Sequence, residues 1–245
     1  MNRIIKYILL TICAFVFALS SYNIYKYLAE GSANRKYNKE LIEKAVTETI
    51  YSNEEQEKNK NILPLSIDFS VLKNENENIV AWLYSKDTQI NYPVVQGEDN
   101  EYYLNRLANG EYNPAGSIFM DCRNNSKLED NNTIIYGHNM KNNTMFGTLQ
   151  EYKKQEYYDT HKNMYCFTPK ENYIIELFAG LTVSVDSDIY DLSIIDENKR
   201  EELISKSDFK SNVEITDEDK IITLSTCAYE YDGARYIVMG VLRAI

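Results

Sequence analysis

Apolar residues follow three spacings along this chain, and each predicts a different element. Residues 7–25 carry no charge, and residues 8–19 are the densest apolar part. That length just spans a bilayer core as a helix. Next, Leu41, Ile42, Ala45, Val46, Thr49 and Ile50 recur at helical spacing, which predicts an amphipathic helix running into the charged stretch 54–60. Pro64 breaks this pattern, and residues 69–72 suggest a short helical turn. From residue 79 the pattern changes to short apolar or alternating runs separated by Asn, Asp and Gly. The predicted strands are 79–83, 92–95, 117–120, 133–136, 164–168, 173–185 (bent or split), 220–226 and 235–242. Eight short strands with turn signals between them predict a mainly β fold, a barrel or sandwich with flanking helices. Residues 148–160 and 197–207 read as helices, the second just before the strand at 220–226.

Composition supports the β-rich reading. The chain has 245 residues, with 21 Tyr against 8 Phe. Tyr favours strands and half-wet surfaces. Beyond the apolar segment, the length suffices for one domain with a sizeable core. The net charge is −11. Residues 1–26 contain Arg3, Lys6 and Lys26 and no acid, so the remainder is more acidic still. Nucleic-acid binding needs a basic footprint, so that class is excluded.

The apolar segment fits an uncleaved anchor or a cleaved signal peptide, since Ala18, Leu19 and Ser20 offer small residues at a cleavage-like spacing. The anchor is favoured, because the uncharged run continues through Tyr22, Ile24 and Tyr25 as an interfacial aromatic edge. Lysine and arginine flank the segment on both sides, so charge does not fix its orientation. A long downstream domain still translocates. The expected organisation is a cytoplasmic tail and anchor over 1–28, a linker (polar over 30–38) and amphipathic helix over 29–60, and a catalytic domain over 61–245 outside the cell.

The four cysteines are Cys13, Cys122, Cys166 and Cys227. None has metal-ligand spacing, and two histidines do not complete a zinc site, so no metal or organic cofactor is expected. Cys122 and Cys166 could pair, although scattered cysteines make no disulfide framework. Cys227 ends the run Thr223-Leu224-Ser225-Thr226-Cys227, where an apolar strand gives way to a polar turn. A thiolate is the reactive form of cysteine, and it benefits from a nearby cation. Arg235, eight residues on at the start of the next strand, supplies a permanent one and can donate to an oxyanion. His138 follows another strand in Tyr136-Gly137-His138-Asn139 and is the natural proton shuttle. Gly137 is expected to permit an unusual backbone angle there. The other histidine, His161, lies on a polar helical stretch and is the weaker candidate. Cys227 and Arg235 are spaced too widely for a cysteine-phosphatase loop. The acids at 186–191 lack the glycine and spacing of a calcium loop.

Thr223 to Cys227 with Arg235, and Tyr136 to Asn139, resemble the signatures of the sortases, membrane-anchored cysteine transpeptidases of Gram-positive bacteria, specifically class B. Further matches are residues 78–82, Thr88 to Gln96, Asp99 to Leu104 and Gly116 to Asp121, so the resemblance covers about residues 40–245. It implies an eight-stranded β-barrel with N-terminal helices and one helix before the cysteine strand. It also implies that Cys227 attacks a C-terminal sorting motif of a secreted protein to form a thioester, which a peptidoglycan cross-bridge amine resolves. His138 would handle the proton and Arg235 the carbonyl or oxyanion. Ser225, Thr226 and Tyr136 are the expected substrate-binding residues. Ala228 stands where some class B members have an acid, and Glu230 or Asp232 are the candidates to replace it. The alternatives are a secreted cysteine peptidase that hydrolyses the thioester, or a pilin-polymerising sortase.

Overall fold

The eight alternating segments close into a barrel in a computed structural model, which describes residues 3–49, 63–193 and 196–245. The chain divides into two units, Met1–Glu40 and Leu41–Ile245. The first unit belongs to the helix α1 (Arg3–Ala45), which is long and apolar enough to cross a membrane by length and composition. The polar linker expected at 30–38 is instead part of α1. Gly31 is its poorest helix former, and Lys26–Glu30 and Lys36–Glu40 form i,i+4 pairs at 3.8 Å along the exposed surface.

The amphipathic helix expected from Leu41 to Ile50 is shorter than its pattern. Leu41 and Ala45 are buried as expected, but α1 stops at Ala45. Val46–Glu48 becomes strand β1 and pairs antiparallel with β2 (Leu65–Ile67). The β-branched residues Val46 and Thr47 lose side-chain freedom in a helix and fit a strand. Ile50 and the charged stretch 54–60 lie outside the described residues. Helix α2 (Phe69–Glu75) starts at Asp68, whose carboxylate accepts from the backbone N–H of Ser70 and Val71.

The barrel strands are β3 (Ile79–Tyr84), β4 (Asn91–Val95), β5 (Ile118–Met120), β6 (Asn132–Tyr136), β7 (Asn163–Phe167), β8 (Asn172–Ser184), β9 (Ile221–Cys227) and β10 (Ala234–Ala244). Their order around the barrel is β10-β8-β7-β3-β4-β5-β6-β9, and it closes. Pairs β4–β5 and β6–β9 are parallel, and the other six are antiparallel. Alternation sorts the faces. Ile222, Leu224, Tyr236 and Val238 fill the interior, whereas Ile221, Ile237, Met239 and Val241 face outward. That outer face is covered by Leu203 of α4 (Glu197–Lys206) and by Ile189, which explains why β10 is apolar on both sides.

Strand β8 is bent, as expected, by a bulge. Met239 pairs with Ala179 and Gly240 with Leu177, so Phe178 is the extra residue. Ile175 and Leu177 therefore face inward while Ala179 and Leu181 face outward. The helix expected at 148–160 is a 3-10 turn (Gly147–Lys153) followed by α3 (Gln155–Thr160), broken at extended Lys154. Phe146, Leu149 and Tyr152 are spaced by three and all buried, the spacing a 3-10 turn stacks.

Candidate active site

Strand pairing brings three distant residues to one barrel edge. The parallel register of β6 and β9 sets Tyr136 opposite Ser225, and Gly137 N–H extends the ladder by donating to Ser225 O at 3.1 Å. Two residues beyond that pair come His138, just past the end of β6, and Cys227, the last residue of β9. The antiparallel register of β9 and β10 sets Cys227 directly opposite Arg235. Residues opposite each other share a face, so Tyr136, Ser225, Cys227 and Arg235 all project to the outer side of the barrel. With His138 they line one groove of about 350 Å³, walled by Asn100, Leu104, Phe119, Asp121, Arg123, Val185 and Tyr190.

Each of the three candidate side chains is held without being sealed. Cys227 is a free, half-buried thiol. Its carbonyl accepts from Asn139 Nδ2 at 2.7 Å and Gln150 Nε2 at 3.4 Å, which fixes the end of β9. His138 Nε2 lies 2.7 Å from Leu104 O. A carbonyl only accepts, so Nε2 carries the hydrogen and Nδ1 is the nitrogen left to gain and lose a proton. Arg235 spends one N–H on Ala234 O at 2.9 Å and pairs with no carboxylate among the described residues. Its remaining donors are available to a carbonyl or oxyanion.

One wall of the groove is a polar network. Asp121 is fully buried, and Arg123 grips it through Nε at 2.9 Å and Nη2 at 2.8 Å. Burial works against the Asp121 charge, but the Arg123 and Tyr136 hydrogen bonds outweigh it and hold the carboxyl below its ordinary range. Tyr136 donates its phenol to Asp121 at 2.9 Å, and burial together with that carboxylate pushes the phenol up. Arg123 also donates to Tyr190 O at 3.0 Å, and the Tyr190 hydroxyl lies 2.8 Å from Ser225 Oγ. Tyr136 and Tyr190 stack at 6.2 Å.

The expected residues divide. Cys227, His138, Arg235, Ser225 and Tyr136 meet in the groove. Thr226 lines it too, but its side chain is buried and donates to Gly137 O at 2.8 Å. His161 is elsewhere, stacked on Tyr157 at 4.1 Å. Gly137 corrects the expected reason for a glycine, since its φ is not positive. A Cβ there would stand 2.5 Å from Ile118 Cδ1 and 2.7 Å from Phe146 Cδ2, so close packing demands the glycine. Cys122 and Cys166 are both free, with Cys166 inside the barrel. Ala228 packs into the core, and Glu230 is paired with Lys153. Asn139, Asp121, Arg123 and Tyr190 were not singled out for roles from sequence. Asn139 and Asp121 lie within the quoted motifs, which was the available signal, whereas Arg123 and Tyr190 carried none. Among the described residues no group of three or more His, Cys, Asp or Glu could hold a metal.

The family model described as the sortase domain matches residues 83–243. Sortase B of Listeria monocytogenes is 37% identical over 177 residues, covering 70% of this chain and 72% of that protein. The chain belongs to the sortase family. Among solved structures, a Staphylococcus aureus sortase B–substrate complex is 30% identical with a TM-score of 0.74, covering 89% of this chain and 99% of that one. A sortase B complexed with triglycine is 35% identical with a TM-score of 0.67, covering 72% and 86%. This sortase is accordingly a class B member and a cysteine transpeptidase, and the closed eight-stranded barrel is the fold of those structures.

Proposed function

We propose that Cys227, His138 and Arg235 carry the transpeptidation. The Cys227 thiolate attacks the carbonyl of a sorting-motif peptide lying in the groove. Arg235 donates to the oxyanion that forms. His138 gives the proton on Nδ1 to the leaving amine, and a thioester remains. An incoming amine then attacks the thioester, His138 takes its proton, and Cys227 leaves with the new amide formed. The supporting observation is the double register, Cys227 opposite Arg235 and Tyr136 opposite Ser225, which also delivers His138 to that edge.

Ser225, Tyr136 and Tyr190 form the peptide wall, and Thr226 contributes backbone only, its hydroxyl being engaged by Gly137. The substrate and triglycine complexes of relatives support a peptide donor and an amine acceptor. For this chain the acceptor is a peptidoglycan cross-bridge amine. Residues 1–28 supply the tail and anchor, residues 29–60 connect it, and residues 61–245 form the catalytic barrel outside the cell, on a single-pass membrane protein. The apolar part of α1 supports the anchor.

The test is mass spectrometry of the full chain incubated with a sorting-motif peptide library, with and without triglycine or diaminopimelate. An acyl adduct on Cys227 that passes to the added amine is the expected result. Cleavage whose product never carries an amine would favour the hydrolysing alternative. An adduct on another residue would sink the assignment of Cys227.

A further inference from the structure

At the barrel end opposite the active site, four lysines surround one pocket of about 410 Å³. They come from four separate places: Lys73 on α2, Lys127 between β5 and β6, Lys170 in the turn from β7 to β8, and Lys220 just before β9. The starts of β6, β8 and β9 gather there because the parallel β6–β9 pair sends its other ends to the active site. Lys127, Lys170 and Lys220 have no carboxylate partner among the described residues, and Lys73 donates to Glu77 O. Two acids share the rim. Glu171 accepts from the Tyr173 hydroxyl at 2.8 Å, and Glu129 from Asn125 at 3.2 Å. The pocket therefore has an excess of positive charge in a chain of net charge −11. This excess of like charge is held at an electrostatic cost, which an anion would relieve.

We propose that this pocket binds a phosphate-bearing ligand, a phosphomonoester or phosphodiester on a small carbon skeleton. Lysines bind phosphate as point charges from several directions, and the planar fork that suits a carboxylate is absent, since no Arg lines the pocket. Val80, Pro169 and Tyr173 give the carbon skeleton an apolar surface. The volume suits a headgroup-sized molecule. The acidic remainder of the chain repels polyanions, so capture is confined to this end. Two sources offer this chemistry, an anionic lipid headgroup and a soluble polyol phosphate.

The experiment uses the full chain in phosphatidylcholine nanodiscs. Lysine acetylation rates are followed residue by residue by mass spectrometry at fixed ionic strength. One arm adds a glycerol phosphate oligomer in solution, and the other replaces part of the lipid with phosphatidylglycerol. Slowed acetylation at Lys73, Lys127, Lys170 and Lys220, with Lys86 and Lys141 unaffected, is expected in at least one arm. The responding arm names the source. The double substitution Lys127→Gln, Lys220→Gln is expected to weaken protection of Lys73 and Lys170 by about thirtyfold in ligand concentration, with peptide transfer unchanged. Equal slowing at Lys86 and Lys141, no slowing in either arm, or full protection in the double variant would each overturn the proposal. The soluble arm reads the pocket whether or not α1 is embedded in lipid.

Discussion

Cys166 and Cys227 are both carried by barrel strands, and they differ in burial, in the face they occupy and in the residues opposite them. Cys166 lies inside β7, opposite Leu83 and Tyr173, and packs into the core. It is fully buried, and burial pushes its thiol up to about 12. Cys227 is the last residue of β9, on the outward face, opposite a guanidinium and half open to the groove. Placement on the strand makes the distinction. An inward position within a strand turns cysteine into a small hydrophobe, and an outward position at the strand end turns it into a candidate nucleophile.

The sharpest way to break this contrast is to exchange the two thiols' fates by substitution. Cys227→Ala is expected to lower transfer activity by at least about 10⁴-fold, measured as amide product with a sorting peptide and triglycine. Cys166→Ala is expected to leave the turnover number near wild type and to cost about 1 kcal/mol of stability by denaturant titration. Comparable activity losses in the two variants would erase the distinction. His138→Ala is expected to lose about 10²–10⁴-fold in activity, the range for a positioned acid–base group. Arg235→Lys is expected to lose about 10²-fold, because Lys keeps the charge but lacks the planar fork. Full activity in Arg235→Lys would mean that charge alone serves the site. Smaller still, and read without catalysis, is native-state alkylation by iodoacetamide. Cys227 is expected to react in the folded chain, and Cys166 only after denaturation, as mapped by peptide mass spectrometry. Labelling of Cys166 at native rates would contradict its burial.

The strand-end position of Cys227 was legible in sequence, and the surroundings of both thiols only partly so. Cys227 and Arg235 were readable because strand ends and turns leave local marks: an apolar run, then a polar turn, then a charge. The eight strands were legible for the same reason. Their closure order was not, because parallel pairing of β6 with β9 is a long-range property that no local spacing encodes. That pairing is what brings His138 to Cys227. Gly137 shows the limit at one residue. Sequence suggested backbone freedom, whereas Ile118 and Phe146 supply the reason by crowding the missing Cβ. The end of α1 was missed because helical spacing continued past Ala45, while β2, beyond the intervening residues, offered Val46–Glu48 a strand partner. Tyr190 left no mark in the sequence because its place in the groove rests on contacts with Arg123 and Ser225, which are distant along the chain, and Arg123 gains its place through the same contact.

The finest test of the buried thiol is its contribution to stability at alkaline pH. An ordinary thiol loses its proton near pH 9, whereas folded Cys166 keeps its proton up to about 12. Between those values the unfolded chain binds fewer protons than the folded one at this site. Stability therefore falls as pH rises through that window, by at most about 1.4 kcal/mol per pH unit, and is unaffected by this group below it. Tyrosines held protonated by burial, such as Tyr136 and Tyr236, add to the same decline. Their part cancels between the wild type and Cys166→Ala. The wild type is thus expected to lose stability more steeply than Cys166→Ala above pH 9, in denaturant titrations at pH 8, 9 and 10. Both curves running parallel across that range would show that Cys166 ionises as easily folded as unfolded, and that its burial in the core places no penalty on the thiolate.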